Sequence, residues 1–229
     1  MKGTVLVDFD GTISVADVGN RLLDELTGGR AMRVVDSWKR GEMGSRECLI
    51  RECALARGTR EEVRAFAARQ AVDPSFASFL GRAERDGWRV RVVSDGLDAY
   101  IRVILDREGW STLPLEANRV RFTAGRLLPS FPYAGRGCGR CGNCKGGAVA
   151  AARRYGPVVF VGNGLSDRCG AREADLVFAK DDLARFCRRE NIPFAPFRTF
   201  EDVDLDRAAR VLFRPGTRDG RDTPIHSTT

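Results

Sequence analysis

The apolar run Val5-Leu6-Val7 ends on Asp8-Phe9-Asp10-Gly11-Thr12, and this junction constrains the fold more than any other part of the chain. A short run without polar residues reads as a strand buried on both faces. Side chains alternate along a strand, so Asp8 and Asp10 are expected to project the same way, just where strand becomes loop. Two carboxylates at that spacing repel unless a cation or a proton lies between them. A packed interior gains nothing from such a pair, whereas a site for a metal and a phosphate does. Gly11 and Thr12 then supply a tight exit and hydrogen-bonding groups beside the carboxylates.

After this strand, residues 16 to about 85 show only helical patterning, with breaks at Gly28-Gly29, Gly41 and Gly58. Thr59 and Glu62 have capping-box spacing ahead of Val63, Phe66 and Ala67. A block of helices inserted behind the first strand predicts a small cap over residues 15–85, with the main domain built from 1–14 and 86–213. In that second stretch, strands are expected at Trp88–Val93, Pro157–Val161 and Leu176–Phe178. A hairpin is expected over 115–129, turning at Ala124-Gly125. Helices are expected at 97–108, at 145–155, from about Ser166 and from Asp181. The alternation predicts an α/β fold, a doubly wound parallel sheet covered on both faces, carrying the helical cap. Residues 214–229 have the polar, Gly/Pro/Thr-rich makeup of a disordered tail.

Length and composition agree with this. The chain has 229 residues, enough to bury a full core as one domain with an insertion. No apolar run is long enough to cross a bilayer. The first apolar segment runs directly into the Asp pair, so removing it as a signal peptide would remove the proposed site. A cytoplasmic protein without a membrane partner is the expectation. The formal charge is +7, but only four of the 38 basic residues are lysine and the arginines are scattered. That pattern predicts solvated surface charge with some attraction for anionic substrates, not a nucleic-acid partner. No feature of the sequence specifies an oligomeric state.

In an open parallel sheet, ligands bind outside the carboxyl ends of the strands. Three strand ends carry unusual polar residues. The first is Asp8 and Asp10. The second is Ser94-Asp95-Gly96, where a hydroxyl and exposed amides precede a helix and suit an anion. The third is the loop from Gly162 to Asp167, with Asn163 and Asp167 four residues apart. Lys145 opens a helix and presents an ammonium to the same place. Each has an ordinary reading as well: a turn with a helix cap, a tight turn, a solvated lysine. The order of these elements along the chain carries the argument.

That order resembles the four motifs of the haloacid dehalogenase superfamily of phosphohydrolases, from residue 3 to about 204. The helical insertion is similar to the C1 cap of phosphoserine phosphatases in that superfamily. The run from Cys138 to Lys145, and Phe178-Ala179-Lys180-Asp181 with Leu183 and Cys187, resemble the methionine-salvage phosphatases that act on 2-hydroxy-3-keto-5-methylthiopentenyl-1-phosphate. The resemblance implies hydrolysis of a small phosphorylated metabolite, the salvage phosphoketone and phosphoserine being two candidates. Asp8 is then the nucleophile that forms an aspartyl-phosphate, and Asp10 the general acid and base. Ser94 and Lys145 hold the phosphate, aided by amides near Asp95 and Gly96. Mg2+ lies among the Asp8 carboxylate, the Asp10 carbonyl, Asn163 and Asp167. Asn163 stands where the superfamily usually has Asp, which weakens the metal site and motivates the alternative of a non-catalytic phosphometabolite-binding protein. Asp17 reads either as a contact to the non-phosphate part of a substrate or as an N-cap ahead of Val18 and Leu22.

Seven cysteines, an odd number, in a reducing compartment argue against a disulfide framework. Cys138, Cys141 and Cys144 could hold Zn2+, which prefers four N or S ligands. Only three are local, and Cys169 suits the fourth position better than His226, the single histidine, which lies in the tail. The other reading is reduced thiols in a Gly-rich loop. A zinc-dependent nucleic-acid module ranks below both, because the basic residues are not concentrated around these cysteines.

Overall fold

The computed structural model describes residues 1–213; the expected tail and His226 lie outside the described residues. One seven-stranded sheet runs in the order β4-β3-β2-β1-β5-β6-β7. Its strands are β1 (Gly3–Val7), β2 (Trp88–Leu97), β3 (Leu115–Thr123), β4 (Arg126–Ser130), β5 (Val158–Gly162), β6 (Leu176–Ala179) and β7 (Ala195–Pro196). Neighbours pair in parallel except β3 with β4, a hairpin that turns at Ala124 and Gly125, both at positive φ.

The period-two rule decides the layers. In β1, Val5 and Val7 face one apolar cluster and Leu6 the other. The first cluster takes side chains from α1 (Val18–Thr27), α3 (Ser45–Leu55), α4 (Arg60–Ala67), α5 (Phe76–Arg85), α6 (Asp98–Arg107) and α10 (Leu205–Leu212). The second takes them from α7 (Lys145–Ala152), α8 (Arg168–Glu173) and α9 (Asp181–Arg189). Helix α2 (Met32–Lys39) buries only Val35 and lies farther out. Both faces of the sheet are covered, which its apolar central strands require.

Local signals set most boundaries. Gly28 caps α1 in the left-handed region, at φ 59°, and Gly41 at φ 83° follows α2. The capping box forms: Thr59 Oγ1 accepts from the Glu62 amide at 3.2 Å, and the Thr59 amide donates to Glu62 Oε2 at 2.7 Å. Helix α5 packs on the sheet itself; its Phe76 and Phe79 stack on each other, and Phe200 meets Phe76 edge-on and Phe79 at a tilt. It shares the first cluster with α1, α3 and α4, while α1, α2 and α3 also line the carboxyl edge of the sheet.

Three elements differ from the sequence reading. Strand β2 continues past Val93 to Leu97, with its register to β3 shifting between those residues. The extension is held by Asn118, whose Nδ2 donates to the Asp95 carbonyl at 2.7 Å. Strand β7 and helix α10 carry no expectation from sequence: one is two residues long, and the other is announced only by Asp204, which accepts from the Arg207 amide at 2.8 Å.

The topology places the site. From β1 the chain builds β2, β3 and β4 on one side, then crosses back to lay β5, β6 and β7 on the other. The direction of winding reverses at β1, so a crevice opens beyond the carboxyl ends of β1, β2 and β5.

Candidate active site

A cavity of about 350 Å3 occupies this crevice, between the strand ends and helices α1 to α3. Asp8, Asp10, Ser94 and Asn163 all line it, so three strand ends converge as the topology requires.

The Asp8 amide donates to the Val161 carbonyl at 2.9 Å, which extends the β1–β5 ladder by one residue. The chain then leaves the strand in a tight turn. Gly11 sits at φ 72°, and a Cβ there would lie 2.4 Å from Asn163 Nδ2. Only glycine permits both the conformation and the approach. Because the strand stops at this turn, the two carboxylates do not keep one orientation, as unbroken alternation would have had them. Asp8 faces Lys145 and Asp167; Asp10 faces α1 and α6.

Lys145 is fully buried and donates to Asp8 Oδ1 at 2.5 Å, to Asp167 Oδ1, and to Ser166 Oγ at 3.1 Å. Burial alone would push its pKa down, but Asp167 and then Asp8 outweigh burial and hold the ammonium well protonated. For Asp8, burial and then Asp167 push the carboxyl up, against the pull of Lys145. The balance is one positive charge for two carboxylates. Such a triad is a charge short, and a divalent cation suits it.

The oxygens needed for that cation are gathered nearby. Thr12 Oγ1 lies 3.0 Å from Asn163 Oδ1 and 3.5 Å from Asp8 Oδ2, so the amide and carboxylate oxygens flank one hydroxyl. Asp167 lies beneath the cavity wall. Its Oδ2 accepts from the amides of Asn163 and Gly164 at 2.9 and 2.8 Å, and its other oxygen is taken by Lys145. It orients the loop and the lysine.

Asp10 Oδ2 accepts from Tyr100 Oη at 2.5 Å and from Ser94 Oγ at 3.4 Å, and Oδ1 accepts from the Gly19 amide at 3.0 Å. Burial, then the charge of Asp17, push its pKa up to about 7, a value suited to giving and taking a proton near neutrality. Ser94 Oγ accepts from the Gly96 amide at 2.9 Å. At Gly96 a Cβ would stand 1.8 Å from Tyr100 Oη, so this approach also requires glycine. The Asp95 carboxylate binds protein groups: Ser45 of α3, the Asn143 amide at 2.8 Å and Asn118 Nδ2 at 3.1 Å. It ties α3 to the loop ahead of Lys145. Asp17 caps α1, accepting from the Asn20 amide at 2.9 Å, so the N-cap expectation holds, and the residue also lines the cavity.

Three participants went unread in the sequence. Tyr100 sits inside the apolar stripe of α6 and is fully buried, a place where a core aromatic is the ordinary expectation. Asn143, within the cysteine run, donates Nδ2 to the carbonyls of Ser94 and Glu116 at 3.1 and 2.9 Å. Glu52 of α3 lines the cavity and has no sequence signal beyond helical spacing.

A profile of the haloacid dehalogenase-like hydrolases matches residues 5–172. The chain belongs to this family. The polyol phosphate phosphatase PYP1 of Saccharomyces cerevisiae is 28% identical over 231 residues, covering 89% of this chain and 91% of its own length. A 2-hydroxy-3-keto-5-methylthiopentenyl-1-phosphate phosphatase of Exiguobacterium sp. is 27% identical over 213 residues, covering 89% and 96%. Among solved structures, a phospho-aspartyl intermediate analogue of phosphoserine phosphatase superposes with a TM-score of 0.66 at 18% identity, covering 92% of this chain and 99% of the other. That similarity supports the fold. Among the described residues of this family member, no helix is long and apolar enough to cross a membrane.

Proposed function

We propose that this hydrolase is a Mg2+-dependent phosphomonoesterase acting on a small phosphorylated metabolite through an aspartyl-phosphate. The observation that carries the reading is the buried Asp8–Lys145–Asp167 triad, one positive charge short, at the floor of the cavity. Asp8 and Asn163 side chains and the Asp10 carbonyl would hold Mg2+, which supplies charge neutralisation for the phosphoryl group. Asp167, the other expected ligand, has both oxygens engaged by Lys145 and the loop amides and acts through them instead. Asp8 attacks phosphorus, the ester P–O bond breaks, and Asp10 gives its proton to the leaving alkoxide. Asp10 then takes a proton from the water that releases phosphate. Ser94, Lys145 and the amides near Asp95 and Gly96 offset the phosphate charge. The helices from residue 15 onward act as the cap that shields this chemistry from water. Relatives named for polyol phosphates and a phosphoketone point to a non-macromolecular substrate. Mg2+-dependent turnover of p-nitrophenyl phosphate tests the reading. Replacing Asn163 with Asp adds the charge the site lacks and is expected to lower the Mg2+ concentration for half-maximal rate several-fold. An unchanged requirement removes Asn163 from the ligand set.

The cysteine loop supports a second, structural metal. The sulfurs of Cys138, Cys141, Cys144 and Cys169 all lie within 4.8 Å of one another. Tetrahedral zinc with Zn–S near 2.3 Å needs sulfurs about 3.8 Å apart, so small shifts suffice. Cys144 is the N-cap of α7 and Cys169 lies in α8, so zinc here would clamp the helix bearing Lys145 to the helix that follows Asp167. Protein purified without chelator is expected to carry about one zinc per chain, lost in Cys141→Ser together with several degrees of melting temperature. Zinc-free protein of full stability removes this site.

A further inference from the structure

One carboxyl in the cavity wall has no part in phosphoryl transfer. Ser45, Cys48, Leu49 and Glu52 form the stripe of α3 that faces the cavity, at helical spacing. Glu52 is only 5% exposed. Its Oε2 meets the Cys48 thiol at 3.4 Å, and its Oε1 has no hydrogen-bond partner among the described residues. A buried carboxyl oxygen without a donor is costly, and a ligand that brings the donor removes the cost. Burial, and then the charge of Asp17, push its pKa up to about 7, so the pair already resists further negative charge. Lys39 shares this wall, and its charge draws the Asp17 carboxyl down against the larger upward effect of burial. A carboxylate on the leaving group would meet Asp17 and Glu52. A hydroxyl or ammonium would satisfy Glu52.

Resting on the phosphatase reading above, we propose that Glu52 is a specificity residue. It accepts a hydrogen bond from a hydroxyl or ammonium on the leaving group, so the enzyme takes polyol or amino-alcohol phosphates and rejects counterparts that carry a carboxylate.

Two matched pairs of substrates test this. Glycerol 3-phosphate and 3-phosphoglycerate differ by a hydroxymethyl against a carboxylate. Phosphoethanolamine and phosphoserine differ by an added carboxylate. In at least one pair, kcat/KM is expected to favour the carboxylate-free ester by about 10-fold or more. The pair that discriminates identifies hydroxyl or ammonium as the donor. Glu52→Gln, nearly the same shape, is expected to narrow that ratio mainly through KM, and Glu52→Arg to reverse it. Equal kcat/KM within both pairs overturns the proposal, as does a ratio that Glu52→Gln leaves unchanged. The same ratios read as binding by calorimetry, with Asp8→Asn protein as host, need no turnover. Wild-type p-nitrophenyl phosphate hydrolysis reports on the phosphatase reading separately. Without that hydrolysis the phosphatase reading fails, while the calorimetric ratios still decide the role of Glu52. If Glu52→Arg does not fold, the Gln variant decides alone.

Discussion

Asp8→Asn is expected to remove phosphatase turnover, lowering kcat by on the order of 10⁴-fold or more, because no other group can take the phosphoryl. The same change is expected to leave the protein as stable as before, or more so. Asp8 and Asp167 share the single ammonium of Lys145 inside the protein. Neutralising one of them leaves Lys145 and Asp167 as a balanced buried pair. Catalytic loss with a melting temperature that holds or rises marks a group whose charge serves chemistry and not folding. Steady-state kinetics and thermal melts on one preparation read both. Turnover that survives in Asp8→Asn rules out the nucleophile. A wild type that binds phosphate esters but never turns them over favours the non-catalytic binding alternative raised by Asn163.

Lys145→Met is expected to lose both activity and stability. The substitution strands two buried carboxylates without a counter-ion, at a cost of about 3–5 kcal/mol. Urea denaturation measures it. Adding Asp8→Asn to Lys145→Met is expected to restore part of that loss, since one of the stranded charges disappears. A Lys145→Met protein as stable as wild type contradicts the ion-pair geometry at the floor of the cavity. No recovery in the double variant separates Asp8 from the lysine.

The difference between what sequence reveals and what it hides is visible in particular residues. Asp8 could be read because a carboxylate at the end of an apolar strand has no cheap structural role. Ser94, Lys145 and Asn163 were readable through their order along the chain, and the sheet's reversal at β1 explains why residues so distant meet. The layers followed from alternation and helical spacing, and the capping box of α4 from two residues alone. Other features depend on packing that no local pattern encodes. Tyr100 has the spacing of a core residue, and its hydroxyl becomes significant only because Gly96 leaves room for it against Asp10. Asp95 looks like a turn residue, yet its carboxylate joins α3, β3 and the loop before Lys145 through Ser45, Asn118 and Asn143. The sequence already favours Cys169 over His226 as the fourth partner, but the reason it reaches the other three cysteines is packing: α7 and α8 lie close, Gly146 allowing the approach to the Cys169 carbonyl.

Rapid acid quenching of the enzyme during hydrolysis of a phosphate ester, followed by mass spectrometry of its peptides, tests the central claim most directly. The expected result is one phosphoryl group on the peptide that contains Asp8, stable to acid, labile to base, and absent without Mg2+ or in Asp8→Asn. An ester hydrolysed in the same sample with Asp8 unmodified, or with the phosphoryl on another residue, contradicts the account.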